Sequence, residues 1–373
     1  MSNVALRQTA RQTQEQAHLH LVITPPNPSS ALAYFPDGRR LVAGSRNGAV
    51  TIWNMDNGQE EVKLLLKDLD ADNDVFKLAV TRDGKTVICS TGEGNIKVWD
   101  VGSNKIVREW THLDPYPQLA VSPDSRFVAV GSETVIIRVI KGWDVKQVIE
   151  VSKEVWSMSF SPAGDKLACG IGDGNIRVYD VATGTLLPSP LTGQDWIEGV
   201  LWSCDGGRLY SGSLDHTVRC WNATTGEQIG RPWTGHTDEI RSLSLSPDGS
   251  TLASASNDET VRFWNTTSGD PLGQPLRHKG GVKIVCFSPS GAIFATETKD
   301  GKICSWWVPQ FNTLGSPVNA HQLYCITRAH YCPLLVDEFH ALCDEWFAPG
   351  MGSPAPTHSR SFRWSTFVGR FRS

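Results

Sequence analysis

Residues 235–265 read GHTDEIRSLSLSPDGSTLASASNDETVRFWN, and this stretch decides the fold. Arg241 to Leu245 is a short apolar–polar run, and Ser246-Pro247-Asp248-Gly249 is a tight turn in which Pro presets φ and Asp-Gly supplies the reversal. Thr251 to Ser256 gives a second strand, and Asn257 to Thr260 a second turn. Val261-Arg262-Phe263-Trp264 alternates with the period of two that marks a strand. Thr267-Ser268-Gly269 then turns into a weaker fourth. Nothing in it reads as a helix.

The unit recurs. Worn copies of the turn stand at Phe35-Pro36-Asp37-Gly38, Thr81-Arg82-Asp83-Gly84, Ser122-Pro123-Asp124-Ser125, Ser161-Pro162-Ala163-Gly164, Ser203-Cys204-Asp205-Gly206 and Ser288-Pro289-Ser290-Gly291. A second landmark keeps step with them, an apolar strand ending in Trp53, Trp99, Val139, Tyr179, Trp221, Trp264 and Trp306. The mean spacing is about 42 residues, a period typical of propeller repeats. A four-stranded sheet of this size cannot bury both faces alone, so the copies must stack. What length alone would divide into two or three domains is therefore one repeat domain.

Composition narrows the function. The 35 basic and 39 acidic residues leave a net charge of −4, which argues against electrostatic capture of nucleic acid or an anionic membrane by the whole chain. No apolar stretch is long enough for a transmembrane helix, and residues 1–17 lack the apolar centre of a secretory signal. Nine cysteines form no even framework, and several sit inside strand runs, which points to an intracellular, reducing compartment.

Gly235-His236, Ser246-Pro247-Asp248-Gly249, Ser254, Asp258 and Trp264-Asn265, together with Trp99-Asp100 and Tyr179-Asp180, resemble the WD40 repeat family. The resemblance covers about Leu19 to Pro309; the Thr225-Gly226 to Pro232 phrasing is similar to fungal WD-repeat proteins. It implies an all-β, seven-bladed propeller, non-catalytic and without cofactor or metal, that serves as a scaffold for other proteins or peptides. In the family a His, a Ser or Thr, an Asp and the Trp form a buried hydrogen-bonded tetrad. By position this gives His236, Ser254, Asp258 and Trp264 in the sixth repeat, and His278, Thr296, Asp300 and Trp306 in the seventh. The fifth has Ser211, Asp215 and Trp221, with Gln194 in the histidine's place. Repeats one to four put Ala43, Cys89, Ala129 and Cys169 where the hydroxyl belongs, so they must rest on apolar packing.

The same resemblance assigns partner-binding positions to one face of the ring. Two lie at the first strand of a blade: Phe76, Trp156, Glu198, Arg241 and Lys283, and two residues earlier Asp74, Glu154, Trp196 and Glu239. The third precedes the turn Asp: Arg46, Leu214, Asn257 and Lys299. Aromatic side chains there would be anchors; packing between blades is the plainer alternative. The expectation is a monomeric propeller inside a larger complex. Two other readings are a sensor portion related to fungal receptors and a propeller hydrolase.

Closure of the ring needs one terminal strand. His18-Leu19-His20-Leu21-Val22-Ile23 alternates well, whereas Thr313 to Pro317 carries a ladder-breaking Pro. The organisation expected is thus a flexible segment 1–17, a propeller over 18–318 closed by the N-terminal strand, and an extension over 319–373. In that extension Leu335, Phe339, Leu342 and Trp346 give a helical period over about 333–347. Cys325, His330, Cys332, His340 and Cys343 match no standard zinc spacing. Arg360, Arg363, Arg370 and Arg372 interleave with aromatics in a tail that reads as disordered. No nucleophile elbow, zinc-protease pair or phosphate loop occurs in the chain.

Overall fold

In each repeat the first two runs pair across the Pro-Asp-Gly turn or its worn copy, and further strands add outward to give seven antiparallel sheets. The computed structural model describes residues 17–65, 74–187 and 191–309. The sixth sheet holds Ile240–Leu245, Thr251–Ser256, Thr260–Asn265 and Pro271–Arg277, in that order from inside to outside. The innermost strands are Ser29–Tyr34, Val75–Val80, Gln118–Val121, Val155–Phe160, Ile197–Trp202, Ile240–Leu245 and Val282–Phe287. Each touches the next, and the last touches the first, so the sheets are the blades of a closed seven-bladed propeller. The predicted helix at 333–347, the histidines and cysteines beside it, and the basic-aromatic tail lie outside the described residues.

Closure follows the alternation of the N-terminal run. His18–Ile23 pairs antiparallel with Ile303–Trp307 and forms the outer strand of the seventh blade, with Val22 opposite Cys304 and Ile23 opposite Ile303. Ile23 is buried with Leu41, Ala43, Trp53 and Met55 of the first blade and Ala295 and Ile303 of the seventh. One short strand therefore ties the two ends of the ring together.

The core lies between blades rather than inside any of them. Ala31, Val42, Val50 and Ile52 of the first blade meet Val75, Leu78, Val87 and Trp99 of the second, and Ala253, Val261 and Phe263 of the sixth meet Val282, Val285 and Phe294 of the seventh. The inner strands would leave one row of backbone N–H groups unpaired, and serines of the preceding blade accept several of them. The Ser157 hydroxyl accepts Val200 N–H at 3.0 Å and that of Ser244 accepts Phe287 N–H at 3.0 Å.

Two features depart from the sequence reading. Among the described residues the fourth blade has three strands, with single bridges at Leu186 and Leu191 at its outer position. Pro188 and Pro190 stand between them, and neither can donate to a ladder. The seventh tetrad is the second. In the sixth blade the relay is complete: Trp264 Nε1–H donates to Ser254 Oγ at 2.8 Å, Ser254 lies 2.7 Å from His236 Nε2, and His236 Nδ1 lies 2.8 Å from Asp258. In the seventh, Trp306 Nε1–H donates to Thr296 and Thr296 meets His278 Nε2, each at 3.0 Å, but Asp300 is turned outward. His278 Nδ1 is left buried without a well-formed hydrogen bond, with only the Leu276 backbone favouring its charged form.

The reason lies two residues further on. Thr260 donates its hydroxyl to Asp258 at 2.6 Å and keeps that carboxylate facing inward. The seventh blade has Lys302 there, and it holds Asp300 in an exposed ion pair at 2.6 Å. The fifth blade solves the same problem with an amide: Ser211 takes the Trp221 indole N–H at 2.8 Å and donates to Gln194. Trp53 and Trp99, which face Ala and Cys instead of a hydroxyl residue, keep buried and unpartnered indole N–H groups.

Candidate functional site

The thirteen positions singled out from the sequence occupy one rim of the ring. Arg46, Leu214, Asn257 and Lys299 lie in the turns between second and third strands, and Asp74, Glu154, Trp196 and Glu239 immediately precede an innermost strand. Backbone bonds join the two sets: Leu214 N–H to Trp196 O and Asn257 N–H to Glu239 O, both at 3.0 Å. Phe76, Trp156, Glu198, Arg241 and Lys283 share a further property. Each is the extra residue of a β-bulge, skipped by the register between its strand and the next. A bulge re-aims a side chain that regular pleating would direct into the blade. Ser30 occupies the same bulge in the first blade, a position the sequence reading did not include.

The rim is chemically uneven. Trp156 and Trp196 stack with centroids 5.3 Å apart and planes at 25°, bridging the fourth and fifth blades, and Trp196 is 41% exposed. Phe76 meets Tyr116 edge to face at 5.5 Å, with Tyr116 and its neighbour Leu113 both exposed. Between the fifth and sixth blades the charges are already paired. Arg241 donates to Glu198 at 2.9 Å and reaches Glu239 at 3.5 Å, while Asn257 donates to Glu239 at 2.9 Å. Burial raises the Glu198 pKa, against the pull of Arg241 and of Lys77 on the second blade. Burial lowers that of Lys77.

Between the seventh and first blades sits a buried acid that the sequence reading passed over. Aligning second strands by register places Gly44, Ser90, Val130, Gly170, Gly212, Ala255 and Glu297 at one position. Side chains there meet the next blade at close quarters: a Cβ on Gly44 would fall 2.3 Å from Val75, and one on Gly212 2.7 Å from Ile240. Glu297 fits because Ser29 replaces the branched aliphatic residue opposite. Glu297 is fully buried and neither carboxylate oxygen has a well-formed hydrogen bond. Burial lifts its pKa to about 7, although Lys283, the Ser29 hydroxyl and Arg46 all favour the charged form.

This gives a pH signature. The folded state holds the Glu297 proton up to about pH 7, whereas the unfolded chain releases it near 4.5, so stability falls as pH rises between them. The loss amounts to up to about 3 kcal/mol. Glu297→Gln removes that slope, so the variant should gain on the parent by this amount between about pH 5 and pH 8 in urea unfolding. His278, whose pKa burial lowers to about 4, destabilises as pH falls from 6.5 toward 4. That opposite slope is common to both proteins and cancels in the difference. A difference independent of pH would show that Glu297 is ionised throughout.

A further buried histidine escaped the sequence reading. His112 stands before the third blade as His236 does before the sixth, but Ala129 takes the place of the hydroxyl residue, and His112 Nε2 has no well-formed partner. Burial lowers its pKa against the pull of Asp114. Among the described residues no three His, Cys, Asp or Glu side chains converge as a metal ion would require.

Comparison with known proteins agrees with this architecture. The family model "WD domain, G-beta repeat" matches residues 22–54, 64–100, 226–265 and 269–306, and the model of the anaphase-promoting complex subunit 4 WD40 domain matches 119–205. Similar proteins include Protein groucho of Drosophila melanogaster, 24% identical over 52% of this chain and 27% of its own length. The Angio-associated migratory cell protein of Homo sapiens is 27% identical over 59% of this chain and 45% of its own. Autophagy-related protein 16 of Arabidopsis thaliana is 28% identical over 51% and 37%. The aligned parts thus span between a quarter and a half of these relatives. With the two WD40 models together falling on parts of all seven blades and the seven-bladed ring closed, the chain belongs to the WD40 repeat family.

Proposed function

We propose that this chain is a non-catalytic scaffold, a monomeric propeller within a larger assembly, that binds other proteins or peptides through the rim bearing Trp156 and Trp196. WD40 propellers are typically protein-interaction platforms, and the stack of exposed Trp196 on half-buried Trp156 is the observation that carries the reading here. Two indoles held face to face offer a large apolar area at little entropic cost, the usual chemistry of an interface anchor. The bulges that re-aim Phe76, Trp156, Glu198, Arg241 and Lys283 support the same rim. We place the protein inside the cell, where the thiols of Cys89, Cys169, Cys220, Cys286 and Cys304 stay reduced.

Affinity capture with quantitative mass spectrometry tests the reading. Trp156→Ala combined with Trp196→Ala should reduce recovery of the partners about tenfold, the loss of a binding hot spot. Lys85→Ala with Lys141→Ala, in turns on the opposite rim, should leave recovery unchanged. The converse pattern would move the interface to the other rim.

A further inference from the structure

Three cations of the rim, Arg46, Lys283 and Lys299, gather over the junction of the seventh and first blades. Lys283 is the bulge residue of the seventh blade, and Lys299 lies in the turn whose N–H bonds Gly281 O at 2.8 Å, just before that strand. The same turn presses on the first blade: at Gly301, with φ of +80°, a Cβ would fall 2.4 Å from Pro28 Cα. Pro28 O in turn accepts the Arg46 N–H at 3.1 Å. Arg46 and Lys299, both exposed, therefore stand on either side of the seam, with Lys283 on the inner strand beside them.

Among the described residues none of the three cations forms an ion pair. Asp300, in the same turn as Lys299, is held by Lys302. Arg241, a further cation that acts on Lys283, is taken by Glu198 and Glu239. Burial, then repulsion from Arg46, Arg241 and Lys299, lowers the Lys283 pKa, and Glu297 opposes this from beneath. Glu297 is a poor counter-ion because its own burial keeps it partly protonated near neutrality. An acid supplied from the solvent side meets no such cost.

We propose that this seam between the seventh and first blades seats an acidic segment of a partner protein, with an Asp or Glu carboxylate drawn in among Arg46, Lys283 and Lys299. The proposal rests on the rim being the binding face and adds the chemistry of the partner. Oppositely charged surfaces fix register and speed encounter, while the tryptophan stack across the ring supplies apolar contact to the same segment.

A displayed library of short random peptides, selected on the full chain, tests it. Selected peptides should be enriched in Asp and Glu, and Arg46→Ala with Lys299→Ala should weaken them about tenfold or more, as should Glu→Gln in the peptide itself. Both substituted residues are exposed, and an unchanged melting temperature will show that the variant is folded. The Lys85→Ala, Lys141→Ala pair serves as the charge-matched control and should bind within about twofold of the parent. Peptides that need Trp196 but show no acidic enrichment would overturn the proposal and leave the binding rim standing. Synthetic peptides that bind only with phosphoserine in place of Glu would overturn it too. Selected peptides indifferent to every rim substitution would overturn the rim itself.

Discussion

Asp258→Ala is expected to destabilise the protein by about 3–5 kcal/mol, whereas Asp300→Ala, at the same place in the next repeat, should cost under about 1 kcal/mol. Asp258 is buried and accepts from the Thr260 hydroxyl at 2.6 Å and the Thr237 N–H at 3.1 Å, with His236 Nδ1 at 2.8 Å. Burial would raise its pKa, yet these donors outweigh it and hold the carboxyl well below the ordinary range. Deleting the carboxylate leaves His236, Thr237 and Thr260 with unmet polar groups, and His236 is the piece that orients Ser254 under Trp264. Asp300 has a half-exposed side chain, bonds to Lys302 and Thr298, and touches no histidine. Chemical unfolding of the two variants checks the contrast. Equal losses would show that the outward turn of Asp300 is wrong.

Removing residues 1–23 should have the larger effect. The strand supplies five paired positions to the outer edge of the seventh blade and buries Ile23 in the cluster shared with the first. Burying one such side chain is worth roughly 2–3 kcal/mol, and Leu21, packed on Gly58, adds part of another. With the ladder bonds, the loss reaches the size of a typical domain's whole stability, on the order of 5 kcal/mol or more. The truncated protein should lose its cooperative thermal transition, and a synthetic peptide spanning residues 16–27 should restore it. A truncated chain melting at the parent temperature would contradict closure by this strand.

Blade number, strand order and closure were legible because each follows from local chemistry repeated seven times. Pro-Asp-Gly turns set the hairpins, and His18–Ile23 alternates where the chain beyond Trp306 does not. The seventh tetrad misled because the four matching letters are all present; the deciding residue is Lys302, where the complete tetrad has Thr260. The fourth blade shows only three strands among the described residues, and its sequence carries Pro188 and Pro190 where the fourth would run. The rim positions were legible by place but not by behaviour, since a bulge depends on pairing geometry that no single strand encodes. Glu297 becomes visible only when repeats are stacked by register, as the one acid in a column of Gly, Ser, Ala and Val. Its tolerance depends on Ser29, more than 250 residues away in sequence and adjacent only once the ring has closed.

One rim of this propeller is proposed to carry its interactions. Hydrogen–deuterium exchange of the protein, alone and saturated with a captured partner, tests it most directly. Protection should appear at the turns and strand entries around residues 46, 154–156, 196–198, 239–241 and 299, with the Pro-Asp-Gly turns of the opposite rim unchanged. Protection confined to those Pro-Asp-Gly turns, or to the outer strands, would contradict the claim.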